Sequence, residues 1–198
     1  MGKRQETNPD DLLARRLAGR MADEYLKDSL RKEMRRMISE TPDRDPAPVV
    51  REIVGYLEER PALRVVAVFA ALAGEVDLRT LPGQIGRVWV FPRVGGEELV
   101  FHEVKDFDGD LEKGAYGILE PKAKLRRVGI EEVDIFICPG LAFDPKGGRI
   151  GRGKGFYDRM LGQARPDALK LGVCFGYQFV HDIVMEQHDV RMDAVIAG

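Results

Sequence analysis

Glycines and cations are concentrated between Cys138 and Arg159, in the segment CPGLAFDPKGGRIGRGKGFYDR. The closely spaced glycines are Gly147, Gly148, Gly151, Gly153 and Gly155, and the cations are Lys146, Arg149, Arg152, Lys154 and Arg159. Glycines let a backbone bend tightly and bring successive N–H groups toward an anion without obstruction by Cβ. Because the whole chain carries a net charge of -2, this positive charge is local. The segment therefore predicts a phosphate-binding loop between a strand end and a helix start.

The same segment satisfies only the first part of a Walker A pattern. Gly148, Gly153 and Lys154 match it, but Gly155 stands where the pattern requires Ser or Thr to hold magnesium. A metal ion would therefore need another oxygen ligand, and Asp158 is the first candidate, because Mg²⁺ prefers carboxylate oxygens. Two simpler interpretations stay open: a glycine-rich surface turn with solvated charges, or a patch that contacts nucleic acid without specificity. No basic stripe interleaved with aromatic residues occurs elsewhere, so nucleic acid is not the expected partner.

Composition indicates one soluble domain that can bury a sizeable core. The chain has 198 residues, of which 44% are hydrophobic and 32% charged. No apolar run approaches the roughly 18 residues of a membrane span, and the first residues contain no apolar signal-peptide core, so a cytoplasmic location is expected. Cys138 and Cys174 each lie in an apolar run and are predicted to be buried thiols.

The chain is predicted to begin with two helices. Residues 1–23 are polar and are interpreted as an extension outside the core, with residues 24–198 forming the domain. A charged helix is expected from Glu24 to about Ser39, before the proline-rich stretch TPDRDPAP. A second helix is expected from Val49 to about Glu59.

Short apolar runs predict the sheet. They are RVVAVFA, RVWVFPR, DIFICPG and LGVCFG, and runs of this length suit strands that are covered on both faces. Helices are predicted between them at Leu78–Ile85 and Tyr157–Gln163. Alternation of this kind implies a single α/β domain with a mainly parallel sheet and right-handed crossovers. Ligands of such sheets bind at the carboxyl ends of the strands, where the glycine-rich loop begins.

The string PGLAFDPKGGRIGRGKGFYDR closely resembles the signature of the 5-formyltetrahydrofolate cyclo-ligase family, also called methenyltetrahydrofolate synthetases. Further similarities follow in family order: KDSLR, FAALAGEVD, YGILEP and EQHDVRMD. The resemblance implies an architecture like that of the sugar-phosphate isomerases and CoA transferases. It also implies an enzyme, expected as a monomer, that uses Mg²⁺ and ATP to convert 5-formyltetrahydrofolate into 5,10-methenyltetrahydrofolate.

The resemblance also implies residue roles. The ATP phosphates would be bound by Lys27, Arg31, Arg149, Gly151, Arg152, Gly153, Lys154, Gly155, Phe156 and Tyr157, with Arg149 and Lys154 as the catalytic residues. Phe156 stands where the family usually has tyrosine. The folate would contact Ala70, Glu75 and Tyr116, and Mg²⁺ would be held by Asp158 and Asp189. Lys27 and Arg31 are four residues apart, so both could face one anion from the same side of a helix.

Three other functions stay open. A related protein could keep the nucleotide loop but act outside folate metabolism, for example in a process linked to thiamine. A nonenzymatic protein could bind nucleotide or RNA through the basic loop. An isomerase or CoA-transferase-like enzyme of similar architecture would need no ATP.

Overall fold

The four apolar runs form the centre of a seven-stranded sheet. This sheet is seen in a computed structural model that describes residues 9–41, 44–96, 98–114 and 117–198. The eleven strands found in these ranges are β1 (Val65–Ala67), β2 (Val88–Gly95), β3 (Glu98–Glu103), β4 (Leu111–Lys113), β5 (Leu119–Pro121), β6 (Arg127–Val128), β7 (Ile135–Cys138), β8 (Ala142–Phe143), β9 (Arg149–Ile150), β10 (Leu169–Cys174) and β11 (Ala194–Ala197). The main sheet has the order β11-β10-β7-β1-β2-β3-β6, and β4-β5 and β8-β9 are separate two-stranded sheets.

Strands β11, β10, β7, β1 and β2 run parallel, and β3 and β6 add an antiparallel edge. From β1 the chain proceeds to β2 on one side, and from β7 it proceeds to β10 and β11 on the other side. The sheet order therefore reverses between β1 and β7. A crevice forms at the carboxyl ends of strands where such a reversal occurs, and it is the usual ligand site of an open α/β sheet.

Alternate residues of each central strand face two different cores. Val66 and Ile135 belong to the core on one face, whereas Ala67 and Phe136 belong to the core on the other face. Helix α2 (Ala47–Glu58) covers the first core with Val49, Val50, Ile53 and Leu57. Because both faces are covered, the strands read as continuous apolar runs.

Three further helices complete the described part of the chain: α1 (Pro9–Glu40), α3 (Phe107–Asp110) and α4 (Phe156–Leu161). Helix α1 is largely polar, and among its described side chains only Lys27 and Met34 are buried. Ion pairs between Arg36 and Glu33 and between Arg36 and Glu40 join successive turns of this helix. Met34, with Leu30, Met37 and Ile38 beside it, packs on a third apolar core formed by Leu141, Ala142, Ile150 and Ile183. A short apolar stripe and single polar side chains therefore attach α1 to the rest of the molecule together.

Most predicted elements are confirmed. The four strands, α2 and the helix after the glycine loop lie where they were expected, within one α/β domain with a mainly parallel sheet. The helix predicted at Leu78–Ile85 is wrong, because only a 3₁₀ turn at Leu81–Gly83 forms there. Its leucines Leu78 and Leu81 are instead fully buried in the first core as part of a loop. Helix α1 continues through residues 23 and 24 without a break, so a separate N-terminal extension stays a prediction.

Both cysteines are free and buried, as predicted. Burial raises the pKa of the Cys138 and Cys174 thiols to about 12, so both stay protonated at neutral pH. Neither buried thiol is therefore expected to act as a nucleophile. None of the helices in the described ranges is both long and apolar enough to cross a membrane.

Two glycine substitutions are expected to have opposite effects on stability. Gly147 has a φ of 78°, and a Cβ there would lie 2.2 Å from the backbone oxygen of Met192. Gly147→Ala should lower the free energy of unfolding by at least about 2 kcal/mol, since neither the backbone conformation nor the neighbouring carbonyl tolerates the methyl group. Gly55 lies inside α2 with open space around its Cα, so Gly55→Ala should stabilise by about 0.5–1 kcal/mol. Urea denaturation of both variants checks this. An unchanged free energy of unfolding in Gly147→Ala would contradict the close approach of Gly147 to the Met192 carbonyl.

Candidate functional site

A pocket of about 430 Å³ occupies the crevice at the carboxyl ends of β1 and β7. Segments from five parts of the fold enclose it: α1, the loop after β1, the strands β2, β3 and β5, the glycine-rich segment before and within α4, and the C-terminal loop before β11. Its lining residues are Lys27, Arg31, Phe69, Ala70, Leu72, Glu75, Pro92, Val94, Leu99, Ile118, Leu119, Glu120, Pro139, Gly140, Arg149, Ile150, Gly151, Arg152, Gly153, Lys154, Gly155, Phe156, Tyr157, Asp158, Glu186, His188 and Asp189.

The pocket brings together all but one of the residues to which the resemblance assigns a role. The exception is Tyr116, which lies outside the described residues. Residues that the sequence did not single out include two acidic groups, Glu120 and Glu186, and an apolar wall that contains Pro92, Leu99 and Ile118. One end of the pocket is therefore cationic and rich in glycine, and the other is apolar with a buried carboxylate.

The glycine-rich segment is more structured than a plain loop between strand and helix. It first forms the hairpin β8-β9 and then passes through residues 151–155 into α4. Gly153 and Gly155 have φ values of 99° and 67°, a left-handed conformation that other residues adopt at a cost. Gly155 directly precedes α4, so the chain reverses there and the start of the helix lines the pocket.

A fully buried carboxylate holds the turn of the hairpin. Asp144 accepts hydrogen bonds from the backbone N–H groups of Lys146 at 2.8 Å, Gly148 at 2.7 Å and Ile183 at 2.8 Å. These bonds satisfy the buried charge and tie the turn to the C-terminal part of the chain. Asp144 was not singled out from the sequence, although its place in FDPKGG is the position at which an acidic side chain commonly closes a turn.

Arg149 and Asp158 form an ion pair beside the pocket, with 2.9 Å between Nη2 and Oδ1 and 3% and 19% side-chain exposure. Asp158 also accepts a hydrogen bond from the backbone N–H of Val190 at 3.3 Å. Arg149 lies 5.4 Å from the centre of the Tyr157 ring, and its buried Nε has no hydrogen-bond partner among the residues that the structure describes. The proposed metal ligand Asp158 is thus held by a proposed ATP-binding cation.

Other cations of the pocket bind groups of neighbouring segments. Arg31 donates to the carbonyl of Gly151 at 3.2 Å, and Arg35 donates to the carbonyl of Arg152 at 3.1 Å. The side chain of Arg152 crosses to the loop after β1, where it binds Glu75 Oε1 at 3.0 Å and the Ala73 carbonyl at 3.2 Å. These contacts position the backbone of residues 151 and 152 between α1 and the loop after β1.

Lys27 does not point at the same group as Arg31. Its buried ammonium binds Glu186 at 2.6 Å and also Asp189, both in the C-terminal loop. Burial opposes the charged form of Lys27, but the two carboxylates outweigh it and raise its pKa. Burial likewise acts to raise the pKa of Asp189, but the bond to Lys27 lowers it overall. The acceptors of Lys27 lie far away in sequence, so helix spacing alone did not predict this contact.

One cluster in the described ranges has the composition of a metal site. Oxygen or nitrogen atoms of Glu186, His188 and Asp189 lie within 4.8 Å of one another. The two carboxylates already bind the ammonium of Lys27, which demonstrates that their oxygens converge on a cation. Hard oxygen ligands of this kind suit Mg²⁺, and the neighbouring ammonium would share them.

Loss of the Asp144 carboxylate should destabilise the protein. The carboxylate of Asp144 accepts hydrogen bonds from three backbone N–H groups. In Asp144→Asn, the side-chain amide must place its own N–H group against at least one of these donors. We expect the free energy of unfolding in urea to fall by about 2–4 kcal/mol. Asp182→Asn is the matched control, because Asp182 forms only an exposed ion pair with Lys146 at 2.8 Å and should change stability by less than about 0.5 kcal/mol. Equal effects of the two substitutions would contradict the role of Asp144.

Comparisons with known proteins give a consistent result. The sequence model of the 5-formyltetrahydrofolate cyclo-ligase family matches residues 20–198. A probable 5-formyltetrahydrofolate cyclo-ligase of Schizosaccharomyces pombe is 29% identical over 52% of this chain and 57% of its own length. A 5-formyltetrahydrofolate cyclo-ligase of Haemophilus influenzae is 27% identical over 76% of this chain and 83% of its own length. The solution structure of a 5,10-methenyltetrahydrofolate synthetase from Aquifex aeolicus has a TM-score of 0.74 and 30% identity, and covers 87% of this chain and 89% of that chain.

Proposed function

Because the chain belongs to the 5-formyltetrahydrofolate cyclo-ligase family, a family of ligases, we propose that it converts 5-formyltetrahydrofolate into 5,10-methenyltetrahydrofolate at the expense of ATP. ADP and phosphate are the other products. The observation that carries this proposal is the division of the pocket, in which a cationic, glycine-rich end adjoins an apolar end. A nucleotide phosphate suits the first, and the flat ring system of a reduced folate suits the second.

The reaction needs an activated formyl group. An amide carbonyl is a poor electrophile, so its oxygen first forms a bond to the γ-phosphorus of ATP while the bond to ADP breaks. N10 of the folate then attacks the formyl carbon and loses its proton, and the C–O bond breaks to release phosphate. These steps require positioning and stabilisation of phosphoryl charge, and they need no protein nucleophile.

In this proposal the glycine-rich segment binds the phosphates. Arg149 and Lys154 act on the transferred phosphoryl group, and the backbone of Gly151, Gly153 and Gly155 approaches the anion closely. Lys27, Arg31, Arg152, Phe156 and Tyr157 complete the nucleotide side. Arg149 already presents a buried, charged side chain at the wall of the pocket. Such a preorganised cation stabilises charge without reorganisation during the reaction.

The folate is assigned to the apolar end, where Ala70 and Glu75 line the wall and Tyr116 is proposed to stack on the ring. Mg²⁺ is proposed to be held by Asp158 and Asp189, with Glu186 close to Asp189. When bound, the ion would neutralise negative charge on the phosphate oxygens. The chain itself would contribute the carboxylate oxygens and keep Lys27 beside them.

The deciding experiment mixes the purified chain with Mg²⁺, ATP and 5-formyltetrahydrofolate and follows the near-ultraviolet absorbance of methenyltetrahydrofolate. Lys154→Ala should lower kcat/KM for ATP about 100-fold or more, because it removes a cation beside the transferred phosphoryl group. Lys146→Ala is the matched control, since Lys146 lies in the same segment but outside the pocket, exposed and paired with Asp182. Wild-type protein that binds Mg²⁺ and ATP without forming the absorbance band would exclude the folate and favour a substrate outside folate metabolism. Near-normal activity of Lys154→Ala would exclude the role of that lysine.

The assigned metal ligand makes a separate prediction. Asp189→Asn should raise the Mg²⁺ concentration for half-maximal activity by about tenfold or more, because it removes one of the charged oxygen ligands. Asp167→Asn, which alters an exposed carboxylate paired with Arg165, should leave it unchanged. An Mg²⁺ titration of both variants at saturating ATP makes the comparison. An unchanged requirement in Asp189→Asn would remove this residue from the metal site.

A further inference from the structure

Two carboxylates lie at the folate side of the pocket, and they differ in how many of their acceptor positions the protein uses. Glu75 Oε1 binds Arg152 at 3.0 Å, and its Oε2 accepts the backbone N–H of Leu72 at 2.9 Å. Both oxygens of Glu75 are therefore engaged within the protein. Glu120, in β5, accepts one hydrogen bond within the described ranges, compared with two for Glu75.

Glu120 is a buried charge without an ionic partner. Only 4% of this residue is exposed, and among the described residues its one hydrogen bond is a long one, 3.4 Å from the backbone N–H of Val94. It forms no ion pair within the described ranges, although an ionised carboxylate can accept about four hydrogen bonds. Burial of a carboxylate is costly unless donors compensate it. Because Glu120 lines the pocket, a molecule bound there can supply the donors that the described part of the chain does not.

The surroundings of Glu120 restrict what kind of molecule supplies those donors. Pro92, Val94, Leu99 and Ile118 line the same part of the pocket, and all of them are apolar. A Cβ placed on Gly114 would lie 2.2 Å from the Glu120 side chain, so the carboxylate packs directly over the backbone of the β4-β5 hairpin. A flat, mostly apolar ring with N–H groups on one edge matches this environment. Hydrogen bonds to a carboxylate in such an apolar place are strong and select against ligands that lack the donors.

We propose that Glu120 is a specificity-determining residue that accepts hydrogen bonds from the adjacent amino and ring N–H groups of the pterin, in addition to the contact assigned to Glu75. This inference rests on the proposed function, because it takes a reduced folate as the occupant of the apolar end. The pterin edge presents two neighbouring donors, and a carboxylate presents two oxygens at a matching separation. In this arrangement Glu75 holds the glycine-rich segment through Arg152, while Glu120 accepts hydrogen bonds from the N–H groups on the pterin edge.

Glu120→Gln tests the proposal with little change of shape. The amide keeps an oxygen for the Val94 N–H, but it presents its own N–H groups to the donors of the pterin. KM for 5-formyltetrahydrofolate should rise roughly 10- to 100-fold, while KM for ATP and the melting temperature stay at wild-type values. The wild type should prefer 5-formyltetrahydrofolate over its analogue without the 2-amino group, and this preference is measured as a ratio of kcat/KM values. In the variant, the ratio should fall by about tenfold or more.

Glu112→Gln is the matched control. Glu112 lies opposite Glu120 in the β4-β5 pairing, but it is more exposed and binds Arg93 at 2.8 Å. This variant should keep the wild-type KM and the wild-type preference. If Glu120→Gln does not fold, Glu120→Asp provides the same test, because it keeps the charge but withdraws it from the pterin, and KM for the folate should again rise selectively.

The outcomes separate this inference from the proposed function. An active wild type whose folate KM and preference are unchanged by Glu120→Gln overturns the role of Glu120 and leaves the proposed function standing. Parallel increases of both KM values with a lower melting temperature would assign Glu120 a structural role and also overturn the inference. A wild type that forms no methenyltetrahydrofolate overturns both. A selective rise of the folate KM together with the loss of preference supports the assignment.

Discussion

The buried ion pair between Arg149 and Asp158 joins the three segments that form the cationic end of the pocket. Arg149 belongs to β9, Asp158 to α4, and Asp158 also accepts a bond from Val190 in the C-terminal loop. Removal of Asp158 would leave the buried charge of Arg149 without its ionic partner, which is costly. The pair therefore fixes the positions from which the glycine-rich segment, the helix start and the proposed metal ligands face the pocket.

Polar contacts of the same kind place α1 over the pocket. Met34 packs α1 on a small apolar core, and Lys27, Arg31 and Arg35 bind three separate acceptor groups on one side of the same helix. The acceptors are carboxylates of the C-terminal loop and carbonyls of residues 151 and 152. Closure of the pocket thus depends on charge and hydrogen bonding added to a small apolar core, whereas the sheet beneath it depends mainly on apolar burial.

Family membership and pocket geometry together narrow the functions left open by the sequence. A protein that binds RNA through the basic segment would need its cations on an open surface, yet Arg149 is buried and Arg31, Arg35 and Arg152 contact neighbouring protein segments. An isomerase or a CoA transferase is disfavoured by membership of a ligase family. The remaining alternative is a member of the family that binds a different molecule at the apolar end. Glu120 is the residue proposed to select that molecule.

The sequence by itself determined the sheet and the location of the glycine-rich segment, because both depend on local patterns. Apolar runs such as residues 135–138 must be buried on two faces, and glycines such as Gly153 and Gly155 permit left-handed backbone wherever they occur. The helix predicted at Leu78–Ile85 did not form, and its apolar residues Leu78 and Leu81 are buried in the core as part of a loop.

The tertiary structure alone decided which carboxylate contacts which cation. Lys27 contacts Asp189, 162 residues away, and Arg152 contacts Glu75, 77 residues away. It also left Glu120 without an ionic partner in the described part of the pocket. Such pairings depend on distances across the folded chain, and these are set by the packing of whole elements, which no local pattern of residues encodes.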